Sequence, residues 1–102
     1  RVRRAVANVL SEGVPTVSTI ASELAMSART LQRRLAKQGH SFQSVVDRAR
    51  KDLAQRLLAE TDYSLAEVAF LTGFTEQSSF TRAFRRWAGQ TPRSYRLSAR
   101  PL

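Results

Sequence analysis

The chain has 102 residues, of which 17 are Lys or Arg and 8 are Asp or Glu, a formal net charge of +9. At 42% hydrophobic residues it is too apolar for a disordered tail, and no Cys with one His, His40, excludes disulfide scaffolds, thiol catalysis, zinc fingers, iron–sulfur clusters and multi-His metal sites. No apolar run approaches the ~20 residues that cross a bilayer, and a basic excess on a folded domain points to a polyanion, nucleic acid before an anionic membrane surface.

Apolar residues recur at helical spacing throughout and no stretch alternates, so the fold class is all-α. A first helix is expected over about residues 2–10, with Val2, Ala5, Val6, Val9 and Leu10 on one stripe and Gly13 and Pro15 beyond it. A second starts near Ser18 as N-cap and turns Ile20, Ala21 and Leu24 inward. After a break at 25–27, a third covers about 27–38, buries Ala28, Leu31 and Leu35, and ends at Gly39. The fourth is the longest, about 41–60, with Phe42, Val45, Val46, Ala49, Leu53, Leu57 and Leu58 inward. Ser64-Leu-Ala-Glu67 has the form of a capping box and opens a fifth helix that presents Leu65, Val68 and Ala69 and stops at Gly73. The sixth covers about 76–88 with Phe80, Phe84 and Trp87 inward. Thr91 as N-cap and Pro92 at the first helical position open a seventh, which Tyr95 anchors.

The pattern repeats with a period of about 48–50 residues: Ile20-Ala21 matches Val68-Ala69, Leu31 and Leu35 match Phe80 and Phe84, and Gly39-His40-Ser41 matches Gly89-Gln90-Thr91. Each copy is a short helix, a tight break and a longer basic helix, the outline of a helix-turn-helix. Residues 1–60 therefore read as a first subdomain plus the linker helix (about 41–60), and residues 61–102 as a second. Gly73 lies at the second break where the first has Ala25, so the first break is expected to avoid a left-handed residue or to place it elsewhere.

Charge is segregated. The third helix carries Arg29, Arg33, Arg34 and Lys37 and no acid; from Phe80 onward come Arg82, Arg85, Arg86, Arg93, Arg96 and Arg100, again with no acid. Like charges three or four apart repel by a few tenths of a kcal/mol (~0.2–0.5) per pair, a cost that an arriving anion would offset. The cations are 15 Arg against 2 Lys. Either a GC-rich genome or a need for bidentate contact to phosphate and guanine accounts for that ratio. Recognition helices use their N-terminal residues on base edges, where Arg suits guanine, Gln adenine and Ser either. Candidate base contacts are thus Arg29, Gln32 and Arg33 on the third helix and Gln77, Ser78, Ser79 and Arg82 on the sixth. Ser27, Arg34, Lys37, Thr81, Arg85, Arg86 and Arg93 are the candidates for phosphate contact. A linker helix of twenty residues spans roughly 30 Å, against about 34 Å for one turn of B-DNA. One chain could therefore present both helices to successive major-groove segments and read a non-palindromic site.

Residues 72–96, TGFTEQSSFTRAFRRWAGQTPRSYR, contain Gly-Phe, five residues, Phe, three residues, Phe, four residues, Gly-x-Thr-Pro and then Tyr-Arg. They resemble the C-terminal signature of the AraC/XylS-type bacterial transcription regulators. Residues 18–42, with Ser27-Ala28-Arg29-Thr30-Leu31-Gln32-Arg33, look like the same family's first helix-turn-helix. The resemblance covers about residues 5–97. It implies seven helices, two helix-turn-helix units on a linker helix, and base contacts at the same seven positions. It also implies a role in transcription, mostly activation through contact with RNA polymerase, and a separate N-terminal effector-binding or dimerisation domain. The start at Arg1 without Met or signal peptide fits a fragment of such a cytoplasmic protein.

Other classes fare worse. His40 with Ser41 and Asp47 nearby follows a helix-stop glycine, which fits a loop histidine better than a catalytic one, and no glycine-rich phosphate loop exists, so neither an enzyme nor a cofactor is expected. A membrane-surface helix would expose its aromatics, whereas Phe80, Phe84 and Trp87 lie opposite the basic face. Readers of single-stranded RNA need exposed aromatic platforms, and none is evident.

Overall fold

A computed structural model describes residues 1–100, the Ser11 side chain excepted. Among these residues the chain forms seven α-helices and no strand: α1 Val2–Val9, α2 Val17–Glu23, α3 Ala28–Lys37, α4 Phe42–Glu60, α5 Leu65–Leu71, α6 Gln77–Ala88 and α7 Pro92–Ala99. A 3₁₀ turn, Leu10–Glu12, follows α1. The first helix is therefore shorter than the stripe predicted, although Leu10 stays fully buried. No described helix is long and apolar enough to cross a membrane.

Hydroxyl caps start most of these helices. Ser27, Ser41, Ser64 and Thr91 each accept a hydrogen bond from the backbone N–H three residues on. Ser64 and Glu67 complete the expected reciprocal box, the Ser64 N–H donating to Glu67 Oε1 at 2.8 Å. The cap of α2 is Thr16, not Ser18: the Thr19 N–H donates to Thr16 Oγ1 at 3.1 Å. The earlier start lets Val17 join the apolar face and leaves Ser18 exposed.

Two cores form, one at each end of α4. Val6, Leu10, Ile20, Ala21, Leu31 and Leu35 pack on its N-terminal half through Val45, Val46 and Ala49. Val68, Ala69, Phe80 and Phe84 pack on its C-terminal half through Ala54 and Leu58. Leu53 and Leu57 are only partly buried, and the ladder through the middle of the helix is Val46, Arg50, Ala54 and Leu58. Its spacing of four keeps one face of α4 on both cores. The molecule is elongated, with principal extents of 46 × 25 × 22 Å.

Candidate nucleic-acid interface

The two breaks are built alike. In the first, the N–H groups of Leu24, Ala25 and Met26 donate to Ala21, Ser22 and Ala21; in the second, those of Thr72, Gly73 and Phe74 donate to Ala69, Phe70 and Ala69. Each turn needs one residue at positive φ to reverse the chain out of the helix. Gly73 has φ +93°, and Ala25, contrary to the expectation above, itself takes φ +58°. The hydrogen-bond pattern of the turn overrides the preference of an L-residue, at about 1–2 kcal/mol.

Each turn delivers a basic helix. On α3, Arg29, Gln32, Arg33 and Lys37 are exposed opposite buried Leu31 and Leu35. Arg34 is exposed as well but lines the cleft toward α1 and α4 beside Arg3 and Arg48, away from the Arg29–Arg33 face. On α6, Gln77, Ser78, Arg82, Arg85 and Arg86 are exposed opposite buried Phe80, Ala83 and Phe84. Ser79 and Thr81 are half-buried at the edges of that face. Arg93 is exposed on α7.

Two side chains are already engaged. Ser27 Oγ caps α3, accepting from the Thr30 N–H at 3.1 Å and donating to Thr30 Oγ1 at 2.9 Å. Ser78 Oγ donates to Glu76 Oε1 at 3.4 Å. The ion pairs among the described residues are Arg48–Asp52 and Arg100–Asp62, so no α3 or α6 cation has a carboxylate partner. Fields from such uncompensated helices add, and they attract a polyanion over about a Debye length, ~8–10 Å.

Not every cation of the C-terminal run belongs to that surface. Arg96 Nε donates to the Leu58 carbonyl at 3.0 Å and its Nη2 to the Thr61 carbonyl at 3.3 Å. Arg100 Nη1 donates to the Thr61 carbonyl and pairs with Asp62, both at 2.8 Å. Both arginines tie α7 to the C-terminus of α4, where free carbonyls and the helix dipole favour positive charge.

The sequence reading also missed Arg50. It lies on the apolar ladder of α4 at 8% exposure, and its Nε donates to the Thr72 carbonyl at 2.8 Å. Its guanidinium carbon sits 3.7 Å from the Phe74 ring centroid. Burial lowers its pKa from the usual value, countered by the Asp47 charge; an arginine remains protonated regardless. Its four-residue spacing from Val46 and Ala54 was the available signal. Exposed aromatics, absent from the sequence reading, occur at Phe70 and Tyr63 beside α5, 65% and 42% accessible. They lie on the short first helix of the second motif and its approach, beside Ala66, Glu67 and Leu71.

Paired helix-turn-helix units, each fronted by an uncompensated basic helix, define a DNA-binding domain of a transcription regulator. The chain belongs to the AraC-type family: the family described as a helix-turn-helix domain matches residues 20–98. It is 43% identical over 88 residues to the HTH-type transcriptional regulator VirS of Mycobacterium tuberculosis, covering 86% of this chain and 26% of that protein. The C-terminal domain of the response regulator AraT from Geobacillus stearothermophilus superposes with a TM-score of 0.87 at 27% identity, over 100% of this chain and 85% of that one. The DNA-binding domain of the global transcriptional factor AdpA, solved in complex with a target DNA, superposes with a TM-score of 0.73 at 35% identity, over 93% and 88%. The chain spans about a quarter of the length of curated relatives such as VirS. The family is one of DNA-binding regulators rather than enzymes.

Proposed function

We propose that this chain binds one face of a DNA duplex as a monomer, with α3 and α6 in successive major-groove segments, as the DNA-reading part of a larger, effector-responsive cytoplasmic regulator. The observation that carries this reading is the repeated turn: two copies of one hydrogen-bond pattern, each leading into a cationic helix without acid partners among the described residues. The 19 residues of α4 support it, since they span about 28 Å, close to the ~34 Å pitch of B-DNA. Residues 1–60 and 61–102 then act as two reading subdomains that share α4.

Arg29, Gln32 and Arg33 read bases in one segment, and Gln77, Ser78, Ser79 and Arg82 in the other. Lys37, Thr81, Arg85, Arg86 and Arg93 meet phosphates, with Arg34 reaching the backbone from the α4 side. Ser27 stands at the N-terminus of α3, where the remaining free backbone N–H groups and the helix dipole favour a phosphate. The bound chain activates transcription by contact with RNA polymerase, under control of an N-terminal effector or dimerisation domain. Similarity to proteins named as transcriptional regulators, and to a DNA-bound domain, supports the first part of this reading.

Selection of bound duplexes from a random pool tests it. Recovery of two short blocks about 10 base pairs apart is expected, the separation of successive major-groove faces. Arg33→Ala and Arg82→Ala should each relax discrimination at one or two base pairs of different blocks, by about 1–3 kcal/mol. Variants that discriminate every site as the parent does would refute the assignment.

A further inference from the structure

We propose that Arg50 is the positioning residue that sets the distance and phase between the two reading helices, and hence the base-pair spacing that the chain accepts between the two blocks of its site. This rests on the reading of α3 and α6 as paired DNA readers.

A straight helix fixes how far apart its two ends are, but not how the unit packed at each end is rotated about it. That rotation is set by how each core packs on α4 and by the contacts between the units, several of which meet around Arg50. Arg50 sits between the two cores on α4. Its Nε donates to the Thr72 carbonyl at 2.8 Å, and its guanidinium lies 3.7 Å from the Phe74 ring centroid and 5.8 Å from that of Trp87. Thr72 and Phe74 flank Gly73 in the turn that delivers α6. The same turn touches the first unit: a Cβ on Gly73 would lie 3.4 Å from the Leu10 carbonyl oxygen and from Val14 Cγ2, and 3.7 Å from Arg50 Nη2. The linker helix, the end of the first unit and the turn of the second thus meet around one guanidinium.

The chemistry at this point is directional. Arg50 has no carboxylate at ion-pair distance among the described residues. It is held by a carbonyl that accepts from Nε–H and by aromatic faces, and both contacts depend on how the guanidinium is oriented. An apolar side chain of similar size would fill the space but would leave the buried Thr72 carbonyl without its donor. What it would lack is orientation. Thr72 is itself immobilised, fully buried with Oγ1 donating to the Val68 and Ala69 carbonyls, so a pull on its carbonyl is transmitted to the whole turn. Three residues after Phe74 comes Gln77, the first residue of α6.

The test uses the 102-residue chain and fluorescence anisotropy on duplexes recovered by selection with the parent chain. One series inserts or deletes one or two base pairs between the blocks; another scrambles one block. Each inserted pair moves a block by about 3.4 Å and turns it by about 34°. The parent should lose about tenfold or more per pair inserted, because a stiff joint confines the effective concentration of the second reader to one position. Arg50→Met should bind the single-block duplex within about twofold of the parent, lose about tenfold at the native spacing, and show a penalty per inserted pair below about threefold. Arg50→Lys keeps the charge but not the planar guanidinium and its Nε–H, and should show the same flattened spacing profile. A purely structural role would lower all affinities together and leave the ratio between spacings unchanged. That ratio, unchanged in the Arg50 variants of a spacing-sensitive parent, overturns this proposal alone. A parent that selects a single block, or ignores spacing, overturns the paired-reader reading and this proposal with it. Should Arg50→Met lose its helical circular dichroism, Arg50→Lys and Phe74→Leu decide by the same ratio.

Discussion

Ala25 and Gly73 occupy equivalent places in two turns with the same hydrogen bonds, yet only one of them has a side chain to accommodate. Ala25 is exposed and at φ +58°, so its cost is backbone strain rather than a clash. Ala25→Gly is therefore expected to raise stability by about 0.5–1 kcal/mol, the strain relieved less the added freedom of the unfolded chain, read as a shift in urea midpoint. Gly73→Ala should move the other way: φ +93° strains any Cβ, and its neighbours there already stand at 3.4 Å. Trp87 carries another cost, since its buried Nε1–H meets no acceptor among the described residues. An unsatisfied donor of this kind costs about 1–3 kcal/mol, so Trp87→Phe should stay within about 1 kcal/mol of the parent despite the lost ring area.

Helix boundaries follow from short polar signals, and most were legible. Ser27, Ser41, Ser64 and Thr91 read as starts because a hydroxyl before an apolar run satisfies an N–H that the helix leaves free. Ser41→Ala should cost about 1 kcal/mol in thermal unfolding, since Ser41 and Ser44 cap α4 reciprocally, each Oγ accepting from the other's backbone N–H at 3.1 Å. Ser18 misled because Thr16, Ser18 and Thr19 all offer hydroxyls, and only the extended φ and ψ of Thr16 select it. The Glu67 carboxyl is held below its ordinary pKa, first by the backbone N–H of Ser64 and then by its hydroxyl. A depressed carboxyl stabilises the fold fully above its unfolded-state pKa and loses that contribution as the pH falls through the lower folded-state value. Glu67→Gln should thus flatten the dependence of stability on pH below the ordinary carboxylate range. Along α4, hydrophobic periodicity found the ends of the buried face but passed over Arg50 and Ala54, one because it is charged and the other because it is small.

The whole molecule is a 46 Å body with a core at each end and cations along two helices. Leu31→Ala and Leu58→Ala, one in each core, should each cost about 2–5 kcal/mol, and fitted urea slopes show whether the two ends still unfold as one unit. Binding to duplex DNA should weaken steeply with salt: about 8 phosphate contacts give a log–log slope near −7. Replacing Lys37 or Arg86 by Ala should reduce that slope by about one without altering the preferred sequence. Arg96→Ala should leave the salt slope unchanged and lower stability instead, because that side chain serves the end of α4.

Spacing of apolar residues, hydroxyl caps, glycine stops and the partition of acids from bases are local properties. They were enough to define an all-helical chain with a duplicated turn and two basic helices. Which arginines face a ligand and which face the protein was not local. Arg50 is inside because a carbonyl and an aromatic ring arrive from residues 22 and 24 positions away, and Arg96 is half-buried because it reaches a helix end 38 positions back. A charged side chain reads as exposed until something distant supplies the partners that make its burial affordable, and only the packed chain brings those partners within reach.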